Sequence, residues 1–185
     1  FLKKVTGTLT LVPSEMNPFV SDDDSYNLNG EYWDYVAGKL KVDQPTLVLV
    51  NSYEQAQYLK NKLGDCCIAQ DRDKNNVYSI VQYCRDHDMS NMVLIMVVWS
   101  GYNLVKSGNT IFKKVVFPII SQDNKRIYET LWKVRQGIGR CLRNDDDEVD
   151  VVILDPRVTL PKEKNEPTAL QKIPCFIKNF LLDND

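Results

Sequence analysis

The chain has 185 residues, about one domain's length, and its 43% hydrophobic content is enough for a core. No run approaches the roughly 18 apolar residues of a membrane span, and no signal-peptide pattern opens it. The net charge of −2, from 23 basic and 25 acidic residues, neither announces a nucleic-acid partner nor excludes one, because a basic groove is local and a whole-chain sum does not register it.

The chain opens at Phe1 inside an apolar stretch, so it is expected to be a piece of a longer protein. Residues 21–30 are polar and turn-rich, the composition of a linker or surface loop. Residues 46–51 (TLVLVN) form a continuous apolar run and predict a buried strand. A helix follows over 54–63, stopped by Gly64. A short strand is expected at 66–69, a helix at 76–86, and buried strands at 92–98 and 115–120. The pattern then gives a long helix over 127–143, a strand at 151–155 and a helical tail over 169–182 broken near Pro174. Strands that are continuously apolar and alternate with helices indicate a parallel sheet covered on both faces. Ligands of such sheets sit at the strands' carboxyl ends, which points to the loops after Asn51, Val98, Ile120 and Asp155.

Cys66, Cys67, Cys84, Cys141 and Cys175 are odd in number and lack CxxC spacing, so free buried thiols are expected and no metal site. His87, set in a charged stretch, is expected to be exposed and without catalytic work.

The 127–143 helix carries the chemistry. At about 100° per residue, Ile127, Leu131, Val134, Ile138, Cys141 and Leu142 form one apolar stripe that should pack on the sheet. Gln136, Gly139, Arg140 and Arg143 fall on the opposite face. Arginine's planar fork suits phosphate, and Gly139 leaves room for another surface to approach. A solvated face whose arginines pair with Glu129 or Asp145 is the plainer alternative. It leaves Gly137 and Gly139 unexplained, since a helical glycine costs about 1 kcal/mol relative to alanine. The acidic run 145–148 reads as a solvated turn.

The segment Gln136-Gly137-Ile138-Gly139-Arg140-Cys141-Leu142-Arg143 fits QxxGRxxR, motif VI of superfamily-two helicases. Val151-Val152-Ile153-Leu154-Asp155-Pro156-Arg157 resembles the strand that follows it in the DinG/XPD family. In order along the chain, Thr6-Gly7-Thr8-Leu9 resembles the end of that family's motif III, and Asn17-Pro18-Phe19 the segment after it. Residues 47–53 resemble motif IV, and Trp99-Ser100-Gly101-Tyr102-Asn103 resembles motif V.

The resemblance implies a RecA-like three-layer α/β sandwich with a mainly parallel sheet flanked by helices. Residues 1–30 would be an interdomain segment, and 31–185 the second motor domain of a 5′-to-3′ DNA helicase active in DNA repair. ATP and Mg²⁺ would be held mainly by an absent first RecA-like domain of the same polypeptide, as would any iron–sulfur cluster. Consistent with that division, Gly38-Lys39 is the only Gly-Lys pair, and Trp33 stands where a P-loop would have its first glycine. By resemblance, Arg140 and Arg143 would act as arginine fingers, Gln136 would lie near the γ-phosphate or the attacking water, and Gly139, Gly101 and Asn103 would border the nucleotide. Asn51, Ser52 and Tyr53 would contact phosphates of single-stranded DNA, and Trp99 would stack on a base.

From the residues alone, Ser52 and Gln55 equally suit a helix capping box, Trp99 suits a core position, and Gly101 with Asn103 suits an ordinary turn. Ser100 and Asn103 replace the family's usual Glu and Asp, so motif V lacks two carboxylates. A non-catalytic RecA-like module that binds nucleic acid or protein is therefore the second reading. An unrelated doubly wound domain for an acidic ligand is the third. The resemblance implies no membrane partner and a cytoplasmic protein, nuclear in a eukaryote.

Overall fold

The computed structural model describes residues 6–12, 16–20, 27–40, 43–120, 127–144 and 146–156. Six strands form one sheet: β1 (Thr6–Leu11), β2 (Thr46–Leu49), β3 (Cys67–Ala69), β4 (Val93–Met96), β7 (Lys114–Phe117) and β8 (Glu148–Ile153). Their order is β1-β8-β7-β2-β4-β3, and every neighbouring pair is parallel. A two-residue-per-strand hairpin, β5 (Val105–Lys106) with β6 (Asn109–Thr110), stands apart and was not visible in the apolar pattern. The helices are α1 (Gly30–Lys39), α2 (Tyr53–Leu63), α3 (Val77–Asp86) and α4 (Ile127–Gly139).

The continuous apolar strands supply both sheet faces at once. Leu47, Leu49, Leu94, Met96, Val115 and Phe117 point to one core, where Ile80 and Cys84 of α3 and Leu131, Val134 and Ile138 of α4 meet them. Val48, Val50, Val93, Ile95 and Val116 point to the other, against Tyr32, Trp33 and Val36 of α1 and Ala56 and Leu59 of α2. The period-two alternation of a strand thus builds a helix–sheet–helix sandwich. Full burial of each large apolar side chain contributes about 1.5–3 kcal/mol. Of the thiols expected to be buried, Cys67, Cys84 and Cys141 are buried and free, whereas Cys66 is free and half-buried; Cys175 lies outside the described residues.

β1, within the expected interdomain segment 1–30, is an edge strand of the same sheet, paired with β8 from Thr6↔Glu148 to Leu11↔Ile153. Residues 16–20 are also held to the domain: the indole N–H of Trp33 donates to the Pro18 carbonyl (3.1 Å), and Asn29 N–H donates to the same oxygen (2.9 Å). Helix α1 went unpredicted; Asn29 caps it by accepting from Glu31 N–H (3.2 Å), and Tyr32 donates to the Pro118 carbonyl from its inner face. Gly38-Lys39 closes this helix instead of opening a phosphate loop. The expected tail helix over 169–182 and Arg157 lie outside the described residues.

Candidate nucleotide and strand site

Helix α4 crosses one sheet face after β7, while α2 crosses the other after β2. β2 and β7 are neighbours, so their carboxyl ends bound the crevice where an α/β sheet binds ligands. Gly137 explains how closely α4 approaches. A Cβ there would meet Leu49 Cδ1 at 2.4 Å and Phe117 Cε1 at 3.2 Å. Its glycine is required by contact with the sheet. Gly139 differs: a Cβ there would meet nothing within 4 Å.

The helix ends at Gly139 and not at Arg143. Beyond it the backbone tightens, with Arg140 N–H donating to Gly137 (3.1 Å), Cys141 to Ile138 (3.0 Å) and Leu142 to Gly139 (3.3 Å). Asp147 then accepts from the N–H groups of Arg143 and Asn144, both at 2.6 Å. The expected solvated acidic turn is therefore corrected at Asp147, which is 8% exposed and anchors the chain leaving motif VI. The apolar stripe is as expected at Leu131, Val134, Ile138 and Cys141, all buried. Burial pushes the Cys141 thiol up to about 12.

Arg140 is half-buried. Its Nε donates to the Gln136 carbonyl (3.2 Å), its Nη1 donates to the Tyr102 carbonyl, and its guanidinium lies 5.9 Å from the Tyr102 ring centre. Arg143 is exposed and Gln136 half-buried. Tyr102, Asn103, Gly139, Arg140 and Arg143 border one small pocket of about 60 Å³ beside α4. Motif VI and motif V, far apart in sequence, thus meet through Arg140 and Tyr102. Gln136 and Gly101 do not border that pocket.

Gly101 has φ +89°, a left-handed conformation that an L side chain resists. Ser100 and Asn103 are exposed. Tyr102 has no role implied by the motif. The structure gives it one: its hydroxyl donates to the Val98 carbonyl (2.6 Å), and burial raises its phenol above the ordinary value.

Trp99 is corrected as a stacking platform. It is 7% exposed, donates to the Val50 carbonyl (2.8 Å), and packs 5.3 Å from the Phe117 ring. Ser52 caps α2, its hydroxyl accepting from Gln55 N–H (3.2 Å), while Gln55 Oε1 accepts from Asn51 N–H (2.8 Å). That is a capping box displaced by one residue. Asn51 is exposed, and its Nδ2 donates to the Ile119 carbonyl (3.4 Å) across the β2/β7 crevice. The Tyr53 ring lies beneath the Arg72 guanidinium, 4.9 Å away.

Two further residues shape these loops: Gln70, which had no sequence signal beyond being polar, and Asp155, which stands in the strand resembling the one after motif VI. Gln70 Oε1 accepts from Val97 and Val98 N–H (2.8 and 3.1 Å), fixing the exit of β4. Asp155 accepts from Ile120 N–H (2.9 Å), fixing the exit of β7. His87 is exposed as expected, stacked on Tyr83 at 3.9 Å. Among the described residues no group of three or more His, Cys, Asp or Glu is placed to hold a metal ion, and no helix is long and apolar enough to cross a membrane.

Residues 102–173 match the helicase C-terminal domain family. The chain is 24% identical over 174 residues to a protein named 3′-5′ exonuclease DinG from Staphylococcus haemolyticus, and 23% identical over 171 residues to its counterpart from Staphylococcus epidermidis. The first alignment covers 78% of this chain and the second 77%, but each covers only 19% of the relative's length. Among solved structures, an XPD helicase superposes with TM-score 0.59 at 15% identity, covering 98% of this chain and 34% of that one. The C-terminal domain of the DEAD-box protein Dbp5 superposes with TM-score 0.58 at 11% identity, covering 99% of this chain and 88% of that one.

Proposed function

From a chain that is a helicase C-terminal domain of the DinG/XPD type with a RecA-like fold, we propose the second motor domain of an ATP-dependent, 5′-to-3′ DNA helicase. It completes a nucleotide site shared with a first motor domain of the same polypeptide. The carrying observation is the pocket that joins Arg140 and Arg143 to Tyr102 and Asn103.

Arg140 uses two of its five N–H donors on carbonyls and keeps the others for a phosphate. Arg143 is exposed beyond the helix end. Arranged at a γ-phosphate, such arginines stabilise transition-state charge and contribute about 10³-fold or more in rate. Gln136, one turn before Arg140, orients the attacking water. Mg²⁺ accompanies ATP on the first domain, and no step runs through a metal held by this chain. Loss of the γ-phosphate releases the arginines and opens the cleft. Asn51, Ser52 and Tyr53, at the mouth of the β2/β7 crevice, contact strand phosphates. The protein works in the cytoplasm, or in the nucleus of a eukaryote.

The test is strand-stimulated ATP turnover of the full-length protein with Arg140→Ala and Arg143→Ala. A fall of about 10³-fold in kcat is expected for a finger; wild-type turnover in both variants removes the assignment. The second reading, a non-catalytic binding module, is favoured by Ser100 and Asn103, which leave motif V without carboxylates. It stands if the full-length wild-type protein binds single-stranded DNA but shows no strand-stimulated turnover.

A further inference from the structure

The solvent side of α4 holds two residues that packing among the described residues does not explain. Trp132 is 56% exposed, whereas Trp33 and Trp99 are in the core. Gly139 has open space where a side chain would be. At 100° per residue Trp132, Gln136 and Gly139 share one ridge of α4, and Arg140 follows at its end. The Arg135 guanidinium lies 5.2 Å from the centre of the Trp132 ring, covering part of the indole. The ridge from Trp132 to Gly139 spans seven steps of 1.5 Å, about 10 Å of helix, and Arg140 follows at once. One end presents an aromatic plane backed by a cation, and the other presents two arginines. A bare glycine lies between them.

We propose that Trp132 is the base-side contact of the nucleotide: the base stacks on the indole, and the phosphates run along the ridge past Gly139 to Arg140 and Arg143. The reading rests on the nucleotide site proposed above. Its chemistry is that of a planar base meeting an aromatic face beside a guanidinium, with an anion meeting arginine at the far end. Gly139 lets the ligand lie against the helix backbone.

The test uses the full-length protein with Trp132→Ala and Trp132→Phe. Trp132 is exposed, so neither change disturbs the core. In Trp132→Ala, KM for ATP should rise about tenfold, the size of one base–aromatic stack, and exceed any fall in kcat. Trp132→Phe should restore most of the loss. Inorganic tripolyphosphate, a competitive inhibitor without a base, should inhibit Trp132→Ala and wild type with the same Ki. An unchanged KM overturns the proposal, as does a Ki that rises in step with KM. A change confined to half-saturation by single-stranded DNA also overturns it and moves Trp132 to the strand. Failure of the underlying reading shows separately, as undiminished turnover in Arg140→Ala and Arg143→Ala.

Discussion

Gly137→Ala should destabilise the chain although alanine is the better helix former. The new Cβ would sit 2.4 Å from Leu49 Cδ1 and 3.2–3.3 Å from two Phe117 ring carbons. Carbon pairs prefer about 3.5–4.0 Å, so α4 must lift, or Leu49 turn, by roughly 1.1–1.6 Å. Leu49 and Phe117 are both fully buried and have little room to yield. Overpacking of this kind costs about 1–3 kcal/mol, and alanine's helix preference returns about 1 kcal/mol. The net loss is about 1 kcal/mol, or a Tm lower by about 2–4 °C for a chain of this size. Gly139→Ala is the matched control. With nothing within 4 Å of its new methyl, it should be neutral or stabilising by up to about 1 kcal/mol. Urea and thermal denaturation of the two variants beside wild type make the measurement. If Gly137→Ala is as stable as Gly139→Ala, close packing is not the reason for glycine at 137.

Asp147→Ala removes the acceptor of two backbone N–H groups after α4 and should cost about 1–2 kcal/mol, read by denaturation. Tyr102→Phe loses the bond to the Val98 carbonyl at a buried site and should cost about 1 kcal/mol by the same assay. Burial holds the thiols of Cys67 and Cys141 up at about 12 and that of Cys84 at about 11, against 9.0 for an ordinary thiol. Their contribution to stability is therefore complete below about pH 9 and declines as the pH rises through 11–12, and native protein at pH 8 should leave all three unalkylated by iodoacetamide. The backbone N–H of Asn75, with those of Lys74 and Asp73, holds the Asp71 carboxyl below its ordinary 3.8. That contribution is present above pH 3.8 and lost as the pH falls through the lower folded value, and Asp71→Asn should flatten this part of an acid-stability profile.

The parallel sheet was legible because strands buried on both faces must be apolar at every residue, and runs such as 46–51 and 92–98 show this locally. The apolar stripe of α4 was legible for a similar reason: a helix repeats its contacts every three or four residues. Motif order along the chain pointed to the helicase C-terminal type that residues 102–173 match. What stayed hidden depends on contacts distant in sequence. Whether Trp99 stacks on a ligand or fills the core is decided by Val50 and Phe117, which periodicity does not bring beside it. The membership of β1 in the sheet is decided by β8, over a hundred residues later. The two glycines of motif VI look alike in sequence, yet one is required by Leu49 and Phe117 and the other by nothing within 4 Å among the described residues. The sequence by itself determined which residues are arginine, glycine and glutamine on α4. Tertiary structure decided that the helix stops at Gly139 and that Arg140 turns to the Tyr102 carbonyl, because caps and crossing contacts exist only once the layers have packed.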